Sequence, residues 1–332
     1  MQTESERNAF SPAQNLCAQA RAPVSTESSN QDVALRWLTA VFLLIVVLSA
    51  IFCAGLVLLD SRGRLPPPPL AATDCIDRKL ALVRDTRLTD VTTVAIGSSV
   101  AWSNFATPTY RRTSGETPYN GGLCYLHVDQ MHFWTGLLLE RAPATRTIVL
   151  FLAPRDFENC DPADTQVFHP MLGRLYLDAL VPPWSLYAIN FRWDYFTRQA
   201  FHPLPPGHVV DGARDWDARF ETNPFFFQPR FDQRCFAALR AFGADMTQRR
   251  LRLVVATSPL HPEWKRRHDP DGAFVRRWSA RVARELDAGT QFIDGAAISW
   301  PSDDFADSIH LMHPAAERFT RIVAEQIHQA SS

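Results

Sequence analysis

The feature that most constrains this chain is the stretch Trp37–Leu59, 23 consecutive uncharged and mostly apolar residues. At about 1.5 Å of rise per residue, a helix of that length crosses a hydrocarbon core of about 30 Å. A core helix of a globular domain needs no unbroken run of this size. A cleaved leader fits poorly. The 36 residues before the run are long and include acids, no small-x-small site follows Ala50, and Cys53 comes directly after Ile51-Phe52. The run therefore reads as an uncleaved anchor through which the chain meets a membrane. Arg21 and Arg36 before it and Arg62 and Arg64 after it leave its orientation open.

The anchor sets the domain organisation. Residues 1–36 read as a disordered cytoplasmic tail, rich in Ser, Gln, Asn, Glu and Ala and without apolar periodicity. After the span, 37–59, comes a proline-rich linker, 60–72. There Pro66 to Pro69 form a stiff extended spacer that holds a domain off the bilayer. The domain itself occupies 73–332. Its charges nearly cancel with those of the rest, a net −1, which excludes a nucleic-acid binder of the basic-patch kind.

Within the domain, short apolar runs alternate with helical patterns. Strands are expected at Val91–Ile96, just before the Tyr119-Asn120-Gly121-Gly122 turn, and at Thr147–Leu152, Leu251–Thr257 and Thr290–Ile293. Helices are expected at Cys124–Arg141, Phe231–Gln248, Ala273–Leu286 and Pro314–Ala330. Residues 158–230 interrupt the pattern with an aromatic, proline-rich insertion. Alternation of this kind predicts an α/β fold: a three-layer α/β/α sandwich around a mostly parallel five-stranded sheet, flavodoxin-like in plan. Chemistry in such sheets lies beyond the carboxyl ends of the strands.

Two motifs fall there. Val94-Ala95-Ile96 runs into Gly97-Ser98-Ser99, which offers Ser99 as a nucleophile whose own N–H can face an oxyanion. Asp307-Ser308-Ile309-His310 offers His310 as the base and Asp307 as the acid that fixes its tautomer. Taken singly, Gly-Ser-Ser is as well explained by a helix cap, and His313 competes with His310. Cys75, Cys124, Cys160 and Cys235 permit two disulfides in any of three pairings, or four buried thiols. No C-x-x-C or His/Cys cluster calls for a metal, and no organic cofactor is implied.

Together the two motifs resemble the SGNH hydrolases, also called GDSL-type esterases. Ile96-Gly97-Ser98-Ser99 looks like that family's first block, with Ser98 where Asp often stands. Asp307-Ser308-Ile309-His310-Leu311 looks like its last. The resemblance covers about 90–157 and 250–325, and it implies catalytic Ser99, His310 and Asp307. It also implies an oxyanion hole from the Ser99 N–H and the Gly122 N–H. Where the family has Asn before Asp, this chain reads Ala153-Pro154-Arg155-Asp156, so Arg155 is the expected third donor, with a salt bridge as its plainer role. The chain is similar to membrane-anchored bacterial members near cell-surface polysaccharide systems. That similarity implies an inner-membrane, single-pass protein with a periplasmic domain acting on acylated carbohydrate, beside polysaccharide-assembly proteins. A non-catalytic scaffold and a lipid acylhydrolase are the rival readings. Trp184, Trp193, Tyr195 and Phe225 to Phe227 are candidate sugar-stacking residues, or else packing residues, or, since the anchor keeps the domain close, an interfacial contact with lipid headgroups.

Overall fold

The computed structural model describes residues 26–201, 209–210, 213–214 and 227–330. Residues 1–25 of the tail and most of 202–226, including Phe225 and Phe226, lie outside the described residues. Two units are present, 1–55 and 56–332.

The first unit is the body of helix α1 (Thr26–Ser61), which closes in the second. The helix is longer than the apolar run: it takes in residues 26–36, which the polar composition assigned to the tail. An 18-residue window within its Gln31–Ser61 stretch reaches a mean hydropathy of 3.1, and the stretch is long and apolar enough to cross a membrane.

The second unit is an α/β domain. In chain order it holds α2 (Asp74–Asp85), β1 (Thr93–Gly97), α3 (Ser99–Asn104), α4 (Thr107–Ser114), β2 (Pro118–Asn120), α5 (Val128–Arg141) and β3 (Thr147–Leu152). The insertion supplies α6 (Pro170–Leu177), α7 (Pro183–Ile189), α8 (Trp193–Phe201) and a two-residue ribbon, β4 (Val209–Val210) with β5 (Ala213–Arg214). Then follow α9 (Gln233–Gln248), β6 (Arg252–Thr257), α10 (Pro262–His268), α11 (Ala273–Arg284), β7 (Gln291–Ile293) and α12 (His313–Gln329).

The five sheet strands are parallel, in the order β2-β1-β3-β6-β7. Both faces are covered, which is why the strands read as continuous apolar runs. Val94, Ile96, Ile148, Leu150, Leu253 and Val255 face one core, shared with Ile76 of α2, Trp134 of α5, Phe242 of α9 and Trp278 of α11. Ala95, Val149, Phe151, Val254 and Ala256 face the other, shared with Val100 of α3, Tyr110 of α4 and Phe319 of α12.

Two disulfides tie loops to this frame: Cys75–Cys124 joins α2 to the segment after β2, and Cys160–Cys235 joins the start of the insertion to α9.

The linker departs from expectation. It is extended, but it lies on the domain as a strap. Tyr187 and Tyr195 donate their hydroxyls to Pro67 O at 3.0 and 2.9 Å, and Asn190 donates to Pro69 O. The Leu70 and Ala71 N–H groups donate to Asp77 Oδ1 at 2.9 and 2.8 Å. Proline carbonyls keep full acceptor strength although proline lacks an N–H, so a proline run can be bound by donors alone.

Candidate active site

Ser99 begins α3 immediately beyond the carboxyl end of β1. The turn requires glycine at 97. Its φ is +152°, and a Cβ there would sit 2.4 Å from Phe151 O. Ser98 occupies the cap position without making a side-chain cap bond. Its hydroxyl faces Asp156 instead. Asp156 is buried, and that burial pushes its carboxyl up to about 7 despite the Ala153 N–H and Ser98 bonds that favour its charge.

The base arrives on a loop folded back on itself. Phe305 and Leu311 form an antiparallel bridge, the Ala306 N–H donates to His310 O at 2.8 Å, and the Met312 N–H to Asp304 O at 2.8 Å. This brings His310 Nε2 to 2.8 Å from Ser99 Oγ. On the other side of the ring, His310 Nδ1 lies 2.6 Å from Asp307 Oδ2. Asp307 Oδ1 accepts the N–H groups of Ile309 and His310 at 2.9 and 2.8 Å. Burial would raise the Asp307 pKa, but the bond to His310, its charge and the two N–H groups outweigh that and hold the carboxyl below its usual range. An ionised Asp307 accepts a hydrogen bond from Nδ1–H, which keeps the ring proton on Nδ1, so Nε2 is the acceptor for the Ser99 hydroxyl. His313, the competing histidine, opens α12 three residues further on.

The sequence reading missed the residue that joins these two pieces. Asn104, the last residue of α3, is fully buried. Its Nδ2 donates to Ile309 O at 3.0 Å, and its Oδ1 accepts from the Leu311 N–H at 2.8 Å. Those are the two neighbours of His310. One amide thus ties the helix that carries the nucleophile to the loop that carries the base.

Asn120 plays a matching part behind α3. Its Nδ2 donates to the carbonyls of Ala101, Trp102 and Phe105, and its Oδ1 accepts the Gly122 N–H at 2.9 Å. This corrects the expectation for Gly122: its N–H is committed to Asn120 and is not available to an oxyanion. Glycine is needed there for a different reason, since a Cβ would fall 2.3 Å from Trp102 N. Beneath this turn Lys79 is wholly buried, over the rings of Trp102 and Tyr119, with Nζ donating to Asn120 O. Burial drives its pKa well down.

Arg155 follows β3 in a short 3-10 turn, Pro154–Phe157. Its side chain is half exposed and its guanidinium makes a salt bridge to the Glu158 carboxylate at 3.8 Å. Among the described residues no group of three or more His, Cys, Asp and Glu side chains is arranged to hold a metal ion.

The stacking residues also resolve. Tyr195 is buried on the strap and offers no ring to a sugar, and Trp184 packs half-buried beside it. Trp193 and Phe227 are exposed. A different aromatic stands out near the site: Tyr125, 72% exposed, with φ at +61°. It adjoins the disulfide-bonded Cys124, two residues beyond Leu123, whose N–H donates to Gly97 O at 3.0 Å.

No protein-family model matches the chain, and no curated protein does. Solved structures do. One is a protein assigned to the lipolytic G-D-S-L family from Desulfitobacterium hafniense DCB-2, at 10% identity and a TM-score of 0.38 over 71% of this chain and 98% of that one. Another is a family two carbohydrate esterase from Clostridium thermocellum, in complex with cellohexaose. It matches at 9% identity and a TM-score of 0.37 over 74% of this chain and 66% of that one. Neither likeness assigns a chemistry; that follows from the residues of the site itself.

Proposed function

We propose that this chain is a membrane-anchored serine esterase or O-acyltransferase that acts on O-acyl, chiefly O-acetyl, groups of carbohydrate outside the cytoplasm. The observation that carries the proposal is the continuous relay Ser99 Oγ–His310 Nε2, His310 Nδ1–Asp307, at 2.8 and 2.6 Å. A serine hydroxyl becomes a nucleophile when a base stands ready for its proton.

In the proposed cycle, Ser99 Oγ attacks the ester carbonyl carbon and His310 Nε2 takes its proton. Asp307 stabilises the imidazolium without itself becoming protonated. The tetrahedral oxyanion is held by the Ser99 N–H, a first-turn donor with no intrahelical acceptor, and by Arg155 swung away from Glu158. Collapse breaks the ester bond. The departing sugar oxygen leaves with the proton from His310, and the acyl group stays on Ser99. Water then releases it as acid, or a second sugar hydroxyl receives it. Tyr125 supports the carbohydrate reading: an exposed ring held in a strained backbone suits stacking against a sugar face. The two disulfides support the extracytoplasmic placement.

The test is made on the full chain in detergent. A fluorophosphonate should label Ser99, located by peptide mass spectrometry, and acetylated sugars should release acetate. Ser99→Ala and His310→Ala should each remove nearly all turnover, and the double variant should be little worse, because triad members act as a unit. Asp307→Asn should cost about 10⁴-fold in kcat. A natively folded chain that neither takes the label nor releases acetate would leave the non-catalytic scaffold as the reading.

A further inference from the structure

The insertion carries exposed apolar residues that the catalytic proposal does not use. Ile189, the last residue of α7, is 72% exposed, and Trp193, the first of α8, is 69% exposed. They flank the three residues of the α7–α8 corner, Asn190, Phe191 and Arg192. Trp193 is not a loose side chain. Its ring stacks on Phe196 at 6.4 Å and 29°, and lies 6.1 Å from Phe191. Phe191 and Phe196 in turn pack on Tyr187, one of the two tyrosines that hold the strap. A large ring is thus fixed in place with most of its surface bare, where hydration is costly.

The depth of this corner follows from what lies under it. Buried Tyr187 and Tyr195 form one apolar cluster with Leu56, which is only 2% exposed, and Leu65 packs against the same cluster. Leu56 belongs to the last turns of α1. It lies three residues before Leu59, where the apolar run ends, so about 4.5 Å inside that end along the helix. Leu65 lies just past the helix. The cluster therefore straddles the end of the apolar run. The corner's Phe191 and Phe196 pack on that same cluster, at the depth where hydrocarbon gives way to headgroups.

We infer that the α7–α8 corner of the insertion is a membrane-interface contact, in which Ile189 and Trp193 enter the headgroup–acyl boundary of the bilayer that α1 spans. The inference rests on the anchoring part of the proposed function. Tryptophan is the residue best suited to that depth, with a flat apolar ring and one N–H for the polar side. Arg192 and Arg198 flank it, each within 4.0 Å of Asp194, and supply cations at headgroup level. A second interfacial contact would add to the hold of a single helix on the bilayer.

The experiment uses the full chain in nanodiscs of phosphatidylethanolamine and phosphatidylglycerol, with acyl chains either plain or brominated just below the carbonyl. Bromine quenches only indoles at its own depth. Two difference spectra are taken, wild type minus Trp193→Phe and wild type minus Trp37→Phe; Trp37 opens the apolar run. Trp193→Phe keeps an apolar ring on Phe196 and should fold. Ile189→Trp gives an independent probe by gain of signal. The expected result is blue-shifted emission from Trp193, quenched about twofold in the brominated discs, with the same behaviour at position 189. Quenching of Trp37 with red-shifted, unquenched Trp193 and position 189 would overturn the inference and leave the anchor intact. Loss of Trp37 quenching would mean that α1 does not span, and the inference would fall with it.

Discussion

At the scale of single residues, Asn104 decides whether the relay exists. Its two hydrogen bonds bracket His310, and both of its backbone partners lie in the loop that must meet Ser99. Asn104→Ala leaves the Ile309 carbonyl and the Leu311 N–H without their partner, at about 1–3 kcal/mol for each group that stays buried. The larger expected effect is kinetic. With the loop untied, His310 drifts, and a misplacement of about 1 Å can cost about 10²-fold in rate. Turnover should therefore fall with little change in KM, since Asn104 is not placed to bind substrate, and the melting temperature should drop as well. Stopped assays and thermal melts of the purified variant check both. An Asn104→Ala enzyme that turns over within about twofold of wild type would show that the loop holds its own shape. Ser99, His310 and Asp307 were legible in the sequence because their chemistry depends on residue type and short spacing. Asn104 was not, because an asparagine that acts by two backbone bonds across 205 and 207 residues of sequence leaves no local pattern. Gly122 was misread for the same reason: its small size is visible in the sequence, but the acceptor that consumes its N–H is not.

At the scale of elements, the sheet was legible and its attachments were not. Thr147–Leu152 runs over the expected residues, and the other four sheet strands lie at or beside their expected positions, because strands buried on both faces must be apolar throughout. Helix α5 begins at Val128, four residues later than its apolar pattern suggests. His127 caps it, and the residues before it run alongside β1, with Gly121 and Leu123 donating to Ala95 O and Gly97 O. The proline segment was read as a free spacer because composition gives stiffness but cannot show a docking site 120 residues away. Tyr187 and Tyr195 supply that site through one shared acceptor, Pro67 O. Replacing both with phenylalanine keeps the apolar packing and removes two hydrogen bonds, worth about 1 kcal/mol each. The strap should then open more often. Thermolysin should cut before Leu70, which is buried in the wild type, several-fold faster than in the native chain. Equal cutting rates would mean that the strap is held by the Asp77 carboxylate and packing alone.

At the scale of the whole molecule, the anchor, the disulfides and the proposed substrate must agree on one side of the membrane. The chemistry of the cysteines gives the most direct check. Cys75–Cys124 closes a separation of 49 residues and Cys160–Cys235 one of 75. Loops of that size lower the entropy of the unfolded chain enough to stabilise the fold by about 4 kcal/mol per bridge. A cytoplasm that keeps thiols reduced would deny the domain both contributions, whereas an oxidising compartment supplies them. The expectation is that residues 1–36 stay in the cytoplasm and 60–332 stand outside. Two measurements bear on it independently. A reporter enzyme that matures only outside the cytoplasm, fused after Ser332, should be active. In the unfolded chain taken directly from cells, Cys75, Cys124, Cys160 and Cys235 should resist alkylation until a reductant is added, while Cys53, which is unpaired, should react at once. A silent reporter together with four freely alkylated cysteines would place the domain in the cytoplasm. It would also remove exported polysaccharide from its reach, while leaving the Ser99–His310–Asp307 relay to serve some intracellular ester.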